Sequence, residues 1–127
     1  MLMNVVDSSG WIEYFVNGKN ASFFNSPIRD TDNLLVPTIC LYEVFKRILQ
    51  QRGLSDAQTF IADMHAGKVI DLDSSQALSA AKISVERKLP MADSIILAAA
   101  ITNNAMLWTQ KEHFQGMEKI QFVRKNG

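Results

Sequence analysis

Three acidic residues stand where apolar runs end or apolar helices begin: Asp7 after "MLMNVV", Glu43 inside "LYEVFKR" and Asp93 at the head of "ADSIILAAA". Carboxylates gathered without cysteine or histidine beside them suit hard, oxygen-preferring cations such as Mg2+ or Mn2+. Two such ions, roughly 3.5–4 Å apart, orient and deprotonate a water and stabilise the leaving oxygen of a phosphodiester. Each acid also has a plainer reading. Asp7 precedes a helix and would suit its positive end, although Ser8 and Ser9 can serve as caps instead. Glu43 shares a polar helix face with Lys46, Arg47 and Gln50, opposite Leu41, Tyr42, Val44, Phe45, Ile48 and Leu49, and an i, i+4 pair with Arg47 would account for it. Asp93 opens a helix that is apolar on every side, where a charge is costly without a partner or a metal. Spacing alone leaves open whether the three meet.

The elements that would bring them together alternate. Leu2–Val6 predicts a short buried strand, and "SSGWIEYFV" a helix with a serine cap. "NASFFNSPI" predicts a second helix stopped near Pro27, "RDTDN" a polar loop and "LLV" a minimal strand. A long helix is expected from Pro37–Thr38 to Gly53. "SDAQTFIADMHA" carries a capping box, Ser55 with Gln58, and Gly67 ends that helix before the strand "KVIDL". Asp73 with Gln76 caps a helix reaching about Arg87. Pro90 then breaks the chain before "ADSIILAAAITNN", a helix expected in the core, and "AMLWT" and "IQFV" are the last strands. Five strands alternating with helices make the class α/β with a mostly parallel sheet, in one domain spanning residues 1–127. In such sheets ligands collect outside the carboxyl ends of the strands, which is where Asp7 falls.

Composition narrows the function. With 13 basic and 13 acidic side chains the net charge is +0, so no global basic field advertises nucleic-acid binding and any such contact needs a local patch. Cys40 is the single cysteine, which excludes an internal disulfide and a thiolate zinc site and reads as a small buried hydrophobe. No basic stretch precedes the first apolar run, and the longest such run, Ile95 to Ile101, is far short of the roughly 20 residues that span a bilayer. A reducing, cytoplasmic compartment is expected.

The blocks "VVDSSGWIEYF", "VPTICLYEVFKRIL", "MADSIILAAA" and "LWTQKEHF", in that order over nearly the whole chain, resemble the four motif blocks of PIN-domain ribonucleases. The likeness is greatest to VapC-type toxins of toxin–antitoxin pairs. The resemblance implies a PIN fold, a five-stranded parallel sheet with helices on both faces, and endonucleolytic cleavage of RNA. It makes Asp7, Glu43 and Asp93 ligands of magnesium or manganese, and gives Ser8 and Thr109 hydrogen-bonding roles beside them. It also implies homodimer formation and docking of a cognate antitoxin. The fourth block departs from the family pattern: Thr109 and Phe114 fit, but Lys111 stands where an aspartate is usual. That exchange weakens attraction for a second cation. Glu112, next along, is a substitute acid, and Lys111 is itself able to hold an RNA phosphate.

Lys46, Arg47 and Arg52 follow Glu43 on one helix and read as a solvated face, or as RNA contacts. His65 suits a helix end. His113, beside Phe114, reads as a loop residue with RNA contact left open. Trp11, Tyr14, Phe15, Phe23 and Phe24 are more aromatic surface than one buried face uses, and the surplus suits a partner. Two rival functions fit parts of the pattern. One is a catalytically inactive PIN-like module that binds RNA or protein. The other is a receiver-like phospho-accepting domain, against which stand the two consecutive helices between "LLV" and "KVIDL".

Overall fold

The computed structural model describes residues 2–125. Five short strands form one sheet: β1 (Asn4–Val6), β2 (Leu34–Pro37), β3 (Lys68–Ile70), β4 (Met106–Thr109) and β5 (Ile120–Phe122). Their order is β3-β2-β1-β4-β5, and every pairing is parallel, so the mostly parallel sheet expected is wholly parallel. Six helices connect them: α1 (Ser8–Phe15), α2 (Ala21–Arg29), α3 (Thr38–Arg52), α4 (Leu54–Met64), α5 (Ser74–Arg87) and α6 (Met91–Thr102).

The direction of the connections explains the layering. The chain steps from β1 to β2 to β3 one way, then returns across the sheet to β4. Right-handed crossovers therefore put α1–α4 on one face and α5 and α6 on the other. Val5, Val6, Leu34, Val36 and Leu107 are buried as a continuous apolar run, the pattern of strands covered on both faces. In α6 every residue from Asp93 to Ala100 is buried. The small side chains of Ala98, Ala99 and Ala100 let it lie close to α5 and the sheet.

Local chemistry corrects several sequence-level expectations. Asp7, not a serine, caps α1: its side chain accepts from the Gly10 N–H. Pro27 does not stop α2, which runs on to Arg29. The missing N–H costs one bond in a short helix that is held by burying Phe24, Pro27 and Ile28. "RDTDN" contains a 3-10 turn over Thr31–Asn33. The Ser55–Gln58 capping box does not form, because α4 already starts at Leu54, directly after Gly53. Gly53, at φ 92°, ends α3 in a backbone conformation that other residues rarely adopt, and so turns the chain from one helix into the next. Asp73 does cap α5 by accepting from the Gln76 N–H. The first strand begins at Asn4 rather than Leu2. Tyr42 and Leu49 leave the apolar face expected of α3: they are 60% and 41% exposed, while Cys40, Val44 and Ile48 are buried.

Candidate active site

Strands β1 and β4 lie side by side at the point where the connection reverses direction, the usual ligand position in an open parallel sheet. Asp7 follows β1 there and Thr109 ends β4. The Asp7 N–H donates to the Trp108 carbonyl at 3.1 Å, extending the ladder by one bond. The Asp7 carboxylate is fully buried. Its Oδ1 accepts from the Gly10 N–H and the Ser9 hydroxyl, both at 2.8 Å, and its Oδ2 from the Thr109 hydroxyl at 2.5 Å. Burial raises its pKa above the ordinary aspartate value; the bonds from Thr109, Gly10 and Ser9 and the charge of Lys111 oppose the rise without cancelling it. The same carboxylate caps α1 and sits at the sheet's switch point.

Glu43, in the second turn of α3, is half-buried and accepts from the Ser8 hydroxyl at 2.6 Å. The Glu43–Arg47 ion pair does not form among the described residues. Asp93 is 2% exposed, and its buried charge has found partners: Lys111 Nζ lies 3.0 Å from Oδ1 and His113 Nε2 lies 2.7 Å from Oδ2. The Lys111 N–H donates to Thr109 Oγ1 at 2.9 Å, so one hydroxyl joins Asp7 to the backbone that carries the lysine.

Two groups report on where the acids stand. Burial works to lower the Lys111 pKa, but the hydrogen bond and charge of Asp93, with the charges of Asp7 and Glu43, outweigh it and hold the ammonium above its ordinary range. Burial likewise pushes the Cys40 thiol far up, and Asp7, Glu43 and Asp93 add to that rise. The direct contacts of the three acids are separate: Asp7 with Thr109, Glu43 with Ser8 and Asp93 with Lys111. They do not form a ready-made ligand set: among the described residues no three His, Cys, Asp or Glu side chains stand together as one. Lys111 and His113 hold Asp93, and Ser8 holds Glu43.

A cleft of about 500 Å³ opens over this region, lined by Ser8, Glu43, Lys46, Arg47, Lys111 and Lys125 among others. Of the three acids only Glu43 lines it; Asp7 and Asp93 lie buried behind the wall. Lys46 and Arg47 fall where the sequence places possible substrate contacts. Glu112 does not line the cleft: its side chain is 70% exposed and pairs with Arg124 at 3.3 Å. Sequence reasoning missed Ser9, Tyr42, Gln110 and Lys125 as members of the region, and missed His113 as a partner of Asp93. For His113 a signal existed, since it lies two residues after Lys111 in a 3-10 turn over Glu112–Phe114.

Residues 5–120 match the model of the PIN domain. The chain belongs to the PIN-domain family. No curated protein matches the chain in sequence. Among solved structures, a toxin–antitoxin complex from Klebsiella pneumoniae matches with a TM-score of 0.77 at 20% identity, over 93% of this chain and 95% of that one. A VapBC complex of Rickettsia felis bound to a promoter DNA fragment matches with a TM-score of 0.75 at 12% identity, over 97% and 98%. A sarcin–ricin-loop-cleaving VapC toxin of Mycobacterium tuberculosis matches with a TM-score of 0.68 at 14% identity, over 81% and 85%. At these identities the likeness establishes the PIN fold. That fold removes the receiver-like reading.

Proposed function

We propose that this PIN domain is a metal-dependent endoribonuclease hydrolysing RNA phosphodiester bonds, and the toxin of a VapBC-type toxin–antitoxin pair. The observation that carries the reading is the placement of Asp7 and Thr109 at the carboxyl pole of the sheet, with Glu43 joined to Ser8 on the cleft wall and Asp93 bound by Lys111, which hydrogen-bonds Thr109 through its own N–H. The structural neighbours support the toxin assignment: two are toxin–antitoxin or VapBC complexes, and a third is a toxin described as cleaving the sarcin–ricin loop. With it come a cognate antitoxin, a homodimer and a cytoplasmic site of action. Among the described residues no helix is long and apolar enough to cross a membrane.

The donor chemistry fits Mg2+ or Mn2+, because all three acids offer hard oxygen ligands, and binding through Asp93 requires it to leave Lys111 and His113. Asp7, Glu43 and Asp93 would hold the ion, which supplies Lewis acidity for activating a water and neutralising the phosphate. The rest falls to the protein. Ser9, Gly10 and Thr109 hold Asp7 in one orientation. Ser8 fixes one oxygen of Glu43 at the cleft wall, which makes Glu43 the acid to accept a proton from an attacking water. Lys46 and Arg47 hold RNA phosphates along the cleft. Lys111, placed on Asp93 where the family carries another acid, weakens the second metal position.

The same ion pair favours a second reading, a catalytically inactive module that only binds. Cleavage of a mixed RNA pool by the wild type and Asp7→Asn, with manganese, magnesium or chelator, decides between them. Metal-dependent cleavage that Asp7→Asn abolishes is the expected result. A folded, antitoxin-free wild type that cleaves nothing is the inactive module.

A further inference from the structure

Among the described residues Tyr42 is the one aromatic side chain on the wall of the cleft, and packing does not explain it. It immediately precedes Glu43 on α3 and is 60% exposed, although its helix has an apolar face to bury. The Lys46 ammonium lies 5.7 Å from the centre of its ring, close enough for a cation–π contact that limits the ring's orientation. Around it the cleft carries an uneven charge. The chain as a whole is balanced, with 13 basic and 13 acidic residues, yet the cleft wall holds Lys46, Arg47, Lys111 and Lys125 against only Glu13 and Glu43. Since Lys111 is committed to Asp93, three cations from α3 and the segment after β5 face the cleft unspent by the buried acids. A held aromatic ring among such cations is the combination that binds single-stranded nucleic acid: cations follow the phosphates, and the ring stacks on a base.

Resting on the nuclease reading above, we propose that Tyr42 is a specificity-determining residue. Its ring stacks on an unpaired base of the RNA while Lys46, Arg47 and Lys125 hold the flanking phosphates. Bases inside a duplex already stack on one another and have no face to offer, so cleavage is confined to nucleotides free to leave a helix. Stacking tolerates any base, because every base has a π-face. Tyr42 therefore selects an unpaired nucleotide rather than a particular sequence.

The test uses the full chain with chelator, titrated into a mixed-sequence single-stranded RNA carrying 2-aminopurine, and into its duplex. Stacking quenches the probe. Wild type is expected to quench the single strand; Tyr42→Ala is expected to bind it roughly tenfold more weakly and leave the probe bright, and Tyr42→Phe to restore quenching. Quenching by Tyr42→Ala equal to wild type, or an equal loss on the duplex, overturns the role of Tyr42 and leaves the nuclease reading intact. A wild type that binds no RNA with chelator overturns the role of Tyr42, while the nuclease reading stands or falls separately on the metal-dependent cleavage assay.

Discussion

Asp7 carries two roles that conflict in free energy. As a cap it satisfies the Gly10 N–H, and it also holds Ser9 and Thr109; as a carboxylate it is fully buried. Burial dominates and raises its pKa. A carboxyl whose folded pKa lies above its unfolded value binds more protons when folded, so its contribution to stability falls as pH rises from the unfolded value through the raised one. Asparagine keeps an oxygen for the Gly10 N–H and removes the charge. In metal-free protein, Asp7→Asn is therefore expected to melt no lower than wild type at pH 7, and its advantage is expected to shrink toward pH 4. Thermal unfolding of both proteins at the two pH values checks this. A variant clearly less stable than wild type at pH 7 would mean the three hydrogen bonds outweigh the cost of burying the charge.

At the scale of elements, the site depends on α1 leaving β1 at a tight angle. Gly10 makes that possible. A Cβ built there would lie 2.5 Å from Phe24 Cε1 and 2.7 Å from Val6 Cγ1, so α1 packs on both β1 and α2 only because the side chain is missing. Both neighbours are fully buried core side chains rather than flexible ends at the surface. Gly10→Ala is expected to cost about 1–3 kcal/mol through overpacking, despite alanine's better helix propensity. Urea unfolding measures it directly. Because the Gly10 N–H also holds Asp7, the displacement should reach the site, and any cleavage activity should fall further than the stability loss alone explains.

For the whole molecule, the question is how the charge of the acidic pocket is balanced. Asp7, Glu43 and Asp93 come from three segments, and the Lys111 ammonium pairs directly with Asp93. A divalent ion must compete with that ammonium for Asp93. Binding to the folded state alone raises stability by RT ln(1 + [L]/Kd), so Mn2+ should raise the melting temperature of wild type modestly. Lys111→Asp removes the competitor and adds a ligand. It is expected to melt lower than wild type without metal, from added like-charge repulsion, and to gain more from Mn2+. Equal Mn2+ gains in the two proteins would remove Lys111 from the proposed metal chemistry.

Much of this was legible in the chain itself. Apolar runs of strand length, the long α3 and the all-round apolar α6 follow from hydrophobic periodicity, which any burial of these segments must satisfy. Their alternation leads to a parallel sheet, and the sheet puts the end of β1 at a ligand pole. Local competition was less legible. Whether Asp7 or Ser8 caps α1, or whether Pro27 ends α2, turns on differences of about a kcal/mol that neighbouring packing reverses. What only the tertiary structure decided is the pairing of side chains far apart in sequence: Ser8 with Glu43, Thr109 with Asp7, and Lys111 and His113 with Asp93. Sequence spacing carries no distance between segments. These contacts exist because β1 and β4 are neighbours in the sheet, because α1 packs against α3, and because Asp93 opens the buried stretch of α6.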